Sequence, residues 1–255
     1  MSTPSILSET LELPALDGYP LTATLYHAPE PVAQLLIAGA TGVPQGFYRR
    51  FAEYAAQRGY STLTLDYRGV GQSKPASLRG FDMDYLDWAH LDLAAAVDQH
   101  SHPQRPLYMV GHSFGGAAVM MAAGSVFPEL KPLQAARIAL IGSPSSMGEV
   151  FNGFASMVGL GRGSVGAMRN RAMELVGAQV EDLDGVSVAR RIDRPLLVVH
   201  AEDDKEVNVG HAQRYIGVSP QIRHLWANGH GHRRIVSAPE VIRAVAEFLL
   251  AERML

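Results

Sequence analysis

The chain has 255 residues, 47% of them hydrophobic and 18% charged, with a formal net charge of −3. That balance belongs to a globular chain long enough to bury a sizeable core, and it excludes intrinsic disorder. There is no basic excess to bind nucleic acid, and the absence of cysteine excludes disulfides and thiolate–metal sites. The first ten residues show no basic-then-apolar leader, and no run approaches the ~18 apolar residues of a membrane span. A cytoplasmic protein without membrane contact is the expectation.

Two alternating segments, Glu9–Leu16 and Leu21–His27, are joined by Asp17-Gly18, a hairpin signal. Gln34–Ala38 is a continuous apolar run that reads as a strand covered on both faces. Residues 46–58 change to a helical period, with Phe47, Phe51, Tyr54 and Ala55 on one face and Gly59 at the C-terminal end. Strand and helix then alternate: Tyr60–Asp66, a helix Asp84–Gln99 opened by an aspartate, strand Pro106–Val110, a small-residue helix Gly115–Val126 and strand Arg137–Ile141. After an interruption at about 145–190 come strand Pro195–His200, a helix near Val209–Ile216, and strand Ile222–Trp226. The closing helix has a capping-box spacing, Ser237 to Glu240, and an apolar stripe of Val241, Ile242, Val245, Phe248 and Leu249. Such alternation builds an α/β fold around a mostly parallel sheet, whose ligands sit at the carboxyl ends of the strands.

Gly111-His112-Ser113-Phe114-Gly115 follows one of these strands directly. A G-x-S-x-G sequence there permits a sharp strand-to-helix turn with the serine hydroxyl at its apex. A serine needs a base, and the base needs a partner to fix its tautomer. An acidic loop, Glu202-Asp203-Asp204-Lys205-Glu206-Val207, follows the strand ending at His200; Gly229-His230-Gly231-His232-Arg233-Arg234-Ile235 follows the strand ending at Trp226. Both fall on the same sheet edge as Ser113, in the chain order Ser, acid, His.

With these pieces the chain resembles the α/β-hydrolase fold superfamily, as a serine esterase-like member, over nearly its whole length. Ile37–Gly42 and Asp66-Tyr67-Arg68-Gly69-Val70-Gly71-Gln72-Ser73 add to the match. Ala38, where a histidine is common, and Ala201, where glycine is common, depart from it. The resemblance implies Ser113 as nucleophile, Asp204 rather than Asp203 as acid, and His232 rather than His230 as base. It implies an oxyanion hole from the backbone N–H groups of Ala40 and Phe114. The chain reads as one domain over 1–255, and the glycine- and methionine-rich composition of about 145–190 reads either as a loosely helical insertion packed down on the domain or as a cap over the strand ends. Met147, Phe151, Phe154, Met157, Met168 and Met173 would make that cap a pliable apolar wall over the pocket.

The function so implied is hydrolysis of a carboxylic ester with an apolar acyl group through an acyl-enzyme, with no cofactor and no metal. Thioesterase, acyltransferase or carbon–carbon hydrolase chemistry would use the same residues, and a binding protein on an inactive scaffold is the alternative of another class. Other signals are weaker. Gly161–Gly166 matches G-x-G-x-x-G but follows no strand, and Gly39–Gly46 lacks the Lys and Ser/Thr of a phosphate loop. Gly71-Gln72-Ser73-Lys74-Pro75 has proline where a second elbow would need glycine. His112 is expected to be structural or pocket-lining, and Asp66 and Arg68 to tie down loops at the strand edge.

Overall fold

The structure, a computed structural model, describes residues 5–251 apart from 78, 85, 125, 128–132, 158, 160 and 178. It opens with the antiparallel pair β1 (Ser8–Pro14) and β2 (Pro20–Tyr26). The turn is longer than a two-residue hairpin. β1 ends at Pro14, Leu16 is exposed, and Asp17 turns to Arg68. β3 (Ala33–Ala38) follows, then a 3₁₀ turn Gln45–Tyr48 leading into α1 (Arg49–Ala56). That turn changes the helical phase. Phe47 is exposed, and Tyr48 is buried in its place beside Phe51 and Ala55.

β4 (Tyr60–Asp66) comes next, and a π-helical stretch Trp88–Leu93 runs into α2 (Ala94–His100). Just ahead of this stretch Asp84 accepts the backbone N–H of Leu86, and Asp87 accepts that of Asp84. β5 (Leu107–His112), α3 (Phe114–Ala123) and β6 (Ala135–Ile141) complete the central part. Between β6 and β7 (Leu196–His200) lie α4 (Met147–Met157), α5 (Arg162–Val176) and α6 (Gly185–Ala189). The chain closes with α7 (Gly210–Ile216), β8 (Arg223–Trp226), α8 (Gly231–Arg234) and α9 (Pro239–Leu250).

The eight strands form one sheet in the order β1-β2-β4-β3-β5-β6-β7-β8. β3 to β8 run parallel, with β1 and β2 as an antiparallel edge. Side chains alternate between the two faces, so each strand feeds two cores. Leu36, Leu63, Met109, Leu140 and Val198 pack with α3, α4 and α7 on one face. Leu35, Ile37, Val110, Ile141 and Val199 pack with α1 and α9 on the other. α3 has almost no polar face, because it is buried along Phe114–Ala122.

The closing helix is not opened by Ser237. Its N-cap is Ala238 with Pro239 at the first helical position, where a missing N–H is harmless. Ser237 Oγ donates instead to Arg234 O, and Glu240 pairs with His230.

Asp66 and Arg68 tie down the loops at the sheet edge as expected. Asp66 accepts from the backbone N–H of Gln45 (2.7 Å) and Gln72 (2.9 Å). Arg68 holds the buried Asp92 at 2.7 Å and clasps Asp17 with both terminal nitrogens at 2.9 Å. Burial pushes the Asp92 carboxyl up to about 6, although Arg68 pulls it down. Asp92→Ala leaves Arg68 paired with Asp17 but removes its buried acceptor and that of the Arg68 amide, which should cost about 2 kcal/mol. A lower denaturant midpoint at unchanged m-value would register it.

Candidate active site

The carboxyl ends of β5, β7 and β8 deliver three side chains to one place. At the end of β5 the chain reverses through Ser113, at φ 55° and ψ −126°, the only non-glycine residue with positive φ among the described residues. Such a conformation costs ~1–3 kcal/mol and persists only where its surroundings enforce it. Here Ser113 N–H donates to Ile141 O and Gly116 N–H returns to Ser113 O, both at 2.9 Å. The flanking glycines are needed for space. A Cβ at Gly111 would strike the backbone of Gly116, and one at Gly115 the carbonyl of Ala38.

Ser113 Oγ lies 2.9 Å from His232 Nε2, and His232 Nδ1 lies 2.7 Å from Asp204 Oδ2. The other Asp204 oxygen accepts the N–H groups of Glu206 and Val207, each at 2.8 Å. Burial alone would raise the Asp204 pKa; hydrogen bonds from His232 and from these amides outweigh it and hold the carboxyl below its ordinary range. With Asp204 ionised, His232 Nδ1 carries the proton and Nε2 presents its lone pair to the serine hydroxyl.

The neighbouring candidates point elsewhere. Asp203 Oδ1 accepts Gly229 N–H at 2.9 Å, and His230 Nε2 lies 2.5 Å from Glu240 Oε1. His200 sits beneath the acid loop, with Nε2–H donated to Val207 O at 3.0 Å.

The Ala40 amide, expected to face an oxyanion, is turned inward. It donates to the Tyr48 hydroxyl at 2.7 Å, between two buried residues. The next residue of that loop, Thr41, lines the cavity at Ser113 instead. Tyr48 was hidden in the sequence because the 3₁₀ turn put it, and not Phe47, on the buried face. An aromatic just beyond the glycine-rich loop after β3 was the available signal.

The cavity holds about 150 Å³ and is lined by Thr41, Ser113, Phe114, Pro144, Val150 and Val207 with Glu149, Glu206 and His211 at its polar side. Glu149 binds His211 Nε2 (3.1 Å) and Arg214 Nη2 (2.9 Å), which links α4 to α7 beside the cavity. The methionines do not form the expected wall. Met147 and Phe151 are buried in the core, and Met168 and Met173 pack against it. The side chains of Phe154 and Met157 lie outside the described residues. α4 faces the cavity through Glu149, Val150 and Gly153.

His112 is structural, as one expected reading held. Its Nε2 lies 3.0 Å from His232 O and its Nδ1 3.0 Å from Tyr48 Oη. Complete burial holds its pKa down to about 4, against an ordinary 6.5. The unfolded chain therefore binds a proton that the folded chain refuses between these values. This contribution is fully present above pH 6.5 and is lost as pH falls to about 4, a loss of about 3 kcal/mol. His112→Asn should flatten the acid side of a stability–pH curve by that amount, which chemical denaturation at stepped pH would measure.

Among the described residues no group of three or more His, Asp or Glu side chains is arranged to hold a metal ion, and no helix is long and apolar enough to cross a membrane. The polypeptide overlays an esterase of Pyrococcus furiosus with a TM-score of 0.68 at 17% identity, covering 96% of this chain and 93% of that one. The fold is that of the α/β hydrolases. Est1E from Butyrivibrio proteoclasticus matches this chain with a TM-score of 0.70 at 18% identity, covering 95% and 98% of the two chains. The esterase domain of a Rhodothermus marinus protein matches with 0.67 at 21%, covering 96% and 97%. Residues 29–152 match the family model described as serine aminopeptidase, S33. No curated protein matches the sequence.

Proposed function

We propose that the chain is a serine hydrolase that cleaves carboxylic esters of short acyl chains through an acyl-enzyme. The observation that carries this reading is the unbroken line from Asp204 through His232 to Ser113, at 2.7 and 2.9 Å, at the mouth of a cavity. In the proposed reaction His232 Nε2 takes the hydroxyl proton as Ser113 Oγ bonds to the carbonyl carbon. Asp204 stabilises the imidazolium, which then gives its proton to the departing alkoxide. Water, deprotonated by His232, attacks the acyl-enzyme; the acid leaves and Ser113 recovers its proton.

For the oxyanion we propose the backbone N–H of Phe114, at the start of α3, acting with the loop after β3, whose Thr41 borders the same cavity. This replaces Ala40, whose amide is engaged by Tyr48. Such donors act on charge that exists only in the transition state. We further read 1–255 as one domain, with about 145–190 as a cap that contributes Glu149, Val150 and Gly153 to the cavity.

A cavity of about 150 Å³ is below the ~300–1,000 Å³ of drug-sized pockets, which favours a short acyl group. A panel of p-nitrophenyl esters tests this. Acetate and butyrate should turn over, with kcat/KM falling as the chain lengthens beyond them. The match to a serine aminopeptidase model supports amide hydrolysis as a second reading, so aminoacyl p-nitroanilides and acyl-CoAs belong in the same panel. No turnover of any ester would overturn the esterase assignment.

A further inference from the structure

Four buried groups form a hydrogen-bonded chain that the ester-cleaving steps do not use. Ala40 N–H donates to Tyr48 Oη (2.7 Å), Tyr48 Oη lies 3.0 Å from His112 Nδ1, and His112 Nε2 lies 3.0 Å from the carbonyl oxygen of His232. Every direction in it is dictated. The His232 carbonyl can only accept, so His112 Nε2 carries the proton. His112 is neutral, so Nδ1 accepts from the Tyr48 hydroxyl. The tyrosine oxygen then receives the amide of Ala40. The opposite tautomer would set the Nε2 lone pair against the lone pairs of the His232 carbonyl oxygen.

We propose that Tyr48 and His112 are positioning residues that tie the loop after β3 to the backbone of His232, holding oxyanion donor and base in one fixed arrangement. The need for such a tie follows from the topology. The loop after β3 and the loop after β8 leave strands separated in the sheet by β5, β6 and β7. No ladder joins these two strands directly, and the loops beyond their ends lie outside the ladders. The relay crosses that gap directly, with the His112 ring between Tyr48 (centroids 5.8 Å) and His232 (5.2 Å), and His112 itself precedes the nucleophile. It fixes the Gly39–Ala40 peptide in the loop after β3 at one end and the main chain of the base at the other. Oxyanion donors must sit within a few tenths of an ångström of the developing charge, and displacements of about 1 Å are worth up to ~10² in rate.

The proposal rests on the reading of Ser113, His232 and Asp204 as a catalytic unit, and its test separates the two. Tyr48→Phe and His112→Ala should each lower kcat on p-nitrophenyl acetate by about 10-fold or more with KM nearly unchanged. His112→Gln, which restores a donor toward the His232 carbonyl, should recover part of that loss. Tyr60→Phe is the control for lost packing polarity. It removes another buried hydroxyl, bonded to Ala246 O at 3.0 Å on the same face of the sheet, and should lower Tm without lowering kcat. A readout independent of turnover is the low-field proton resonance of the His232–Asp204 bond. It should shift or broaden in Tyr48→Phe and His112→Ala and stay in place in Tyr60→Phe. Unchanged resonance and kcat in the first two variants, or equal kcat losses in all three, would overturn the relay. Failure of the wild-type protein to turn over any ester would instead overturn the proposed function, and the resonance would still decide the relay.

Discussion

Asp204→Asn is expected to lower kcat by ~10⁴-fold with the fold intact, while Asp203→Asn stays within about 3-fold of wild type. The amide oxygen can still accept the N–H groups of Glu206 and Val207 that now bond Asp204 Oδ1 at 2.8 Å. Its NH₂ group must then face His232 Nδ1. A donor there forces the ring proton onto Nε2, the atom 2.9 Å from Ser113 Oγ. The base is then held with its proton against the hydroxyl whose proton it should remove. Asp203 has a different task, accepting Gly229 N–H at 2.9 Å to brace the histidine loop. Steady-state kinetics on p-nitrophenyl butyrate, with circular dichroism to confirm folding, checks both variants. A larger loss in Asp203→Asn would mean that the acid has been misassigned.

Ser113→Ala should remove ~10⁶ of kcat, leaving only what the oxyanion donors and binding provide. The same variant should not lose stability through packing, because the serine side chain is only partly buried and its strained φ of 55° is imposed by the backbone around it. Activity and Tm therefore separate at this position. A variant that retained more than about 1% of wild-type turnover would show that another group attacks the ester.

The parts of the site that could be read from sequence are those fixed by strand ends. Ser113, Asp204 and His232 each follow a strand by six residues or fewer, and a parallel sheet brings such loops to one edge whatever the details of packing. What depended on finer geometry was not legible. That the Ala40 amide turns to Tyr48 depends on the direction of a single peptide, and the choice between Phe47 and Tyr48 on one 3₁₀ turn. Ser237 and Glu240 had the spacing of a capping box, but Pro239 starts the helix one residue later and His230 takes the carboxylate. The segment 145–190 showed its helices and methionines but not that the methionines turn to the core and a glutamate turns to the cavity.

The most direct measurement is covalent capture of the nucleophile by an alkyl fluorophosphonate, with the adduct mapped by peptide mass spectrometry. One stoichiometric adduct is expected on the peptide containing Ser113, formed rapidly in wild type and ~10³-fold or more slower in His232→Ala. No adduct on the folded protein, or an adduct on any residue other than Ser113, would contradict Ser113 as the nucleophile.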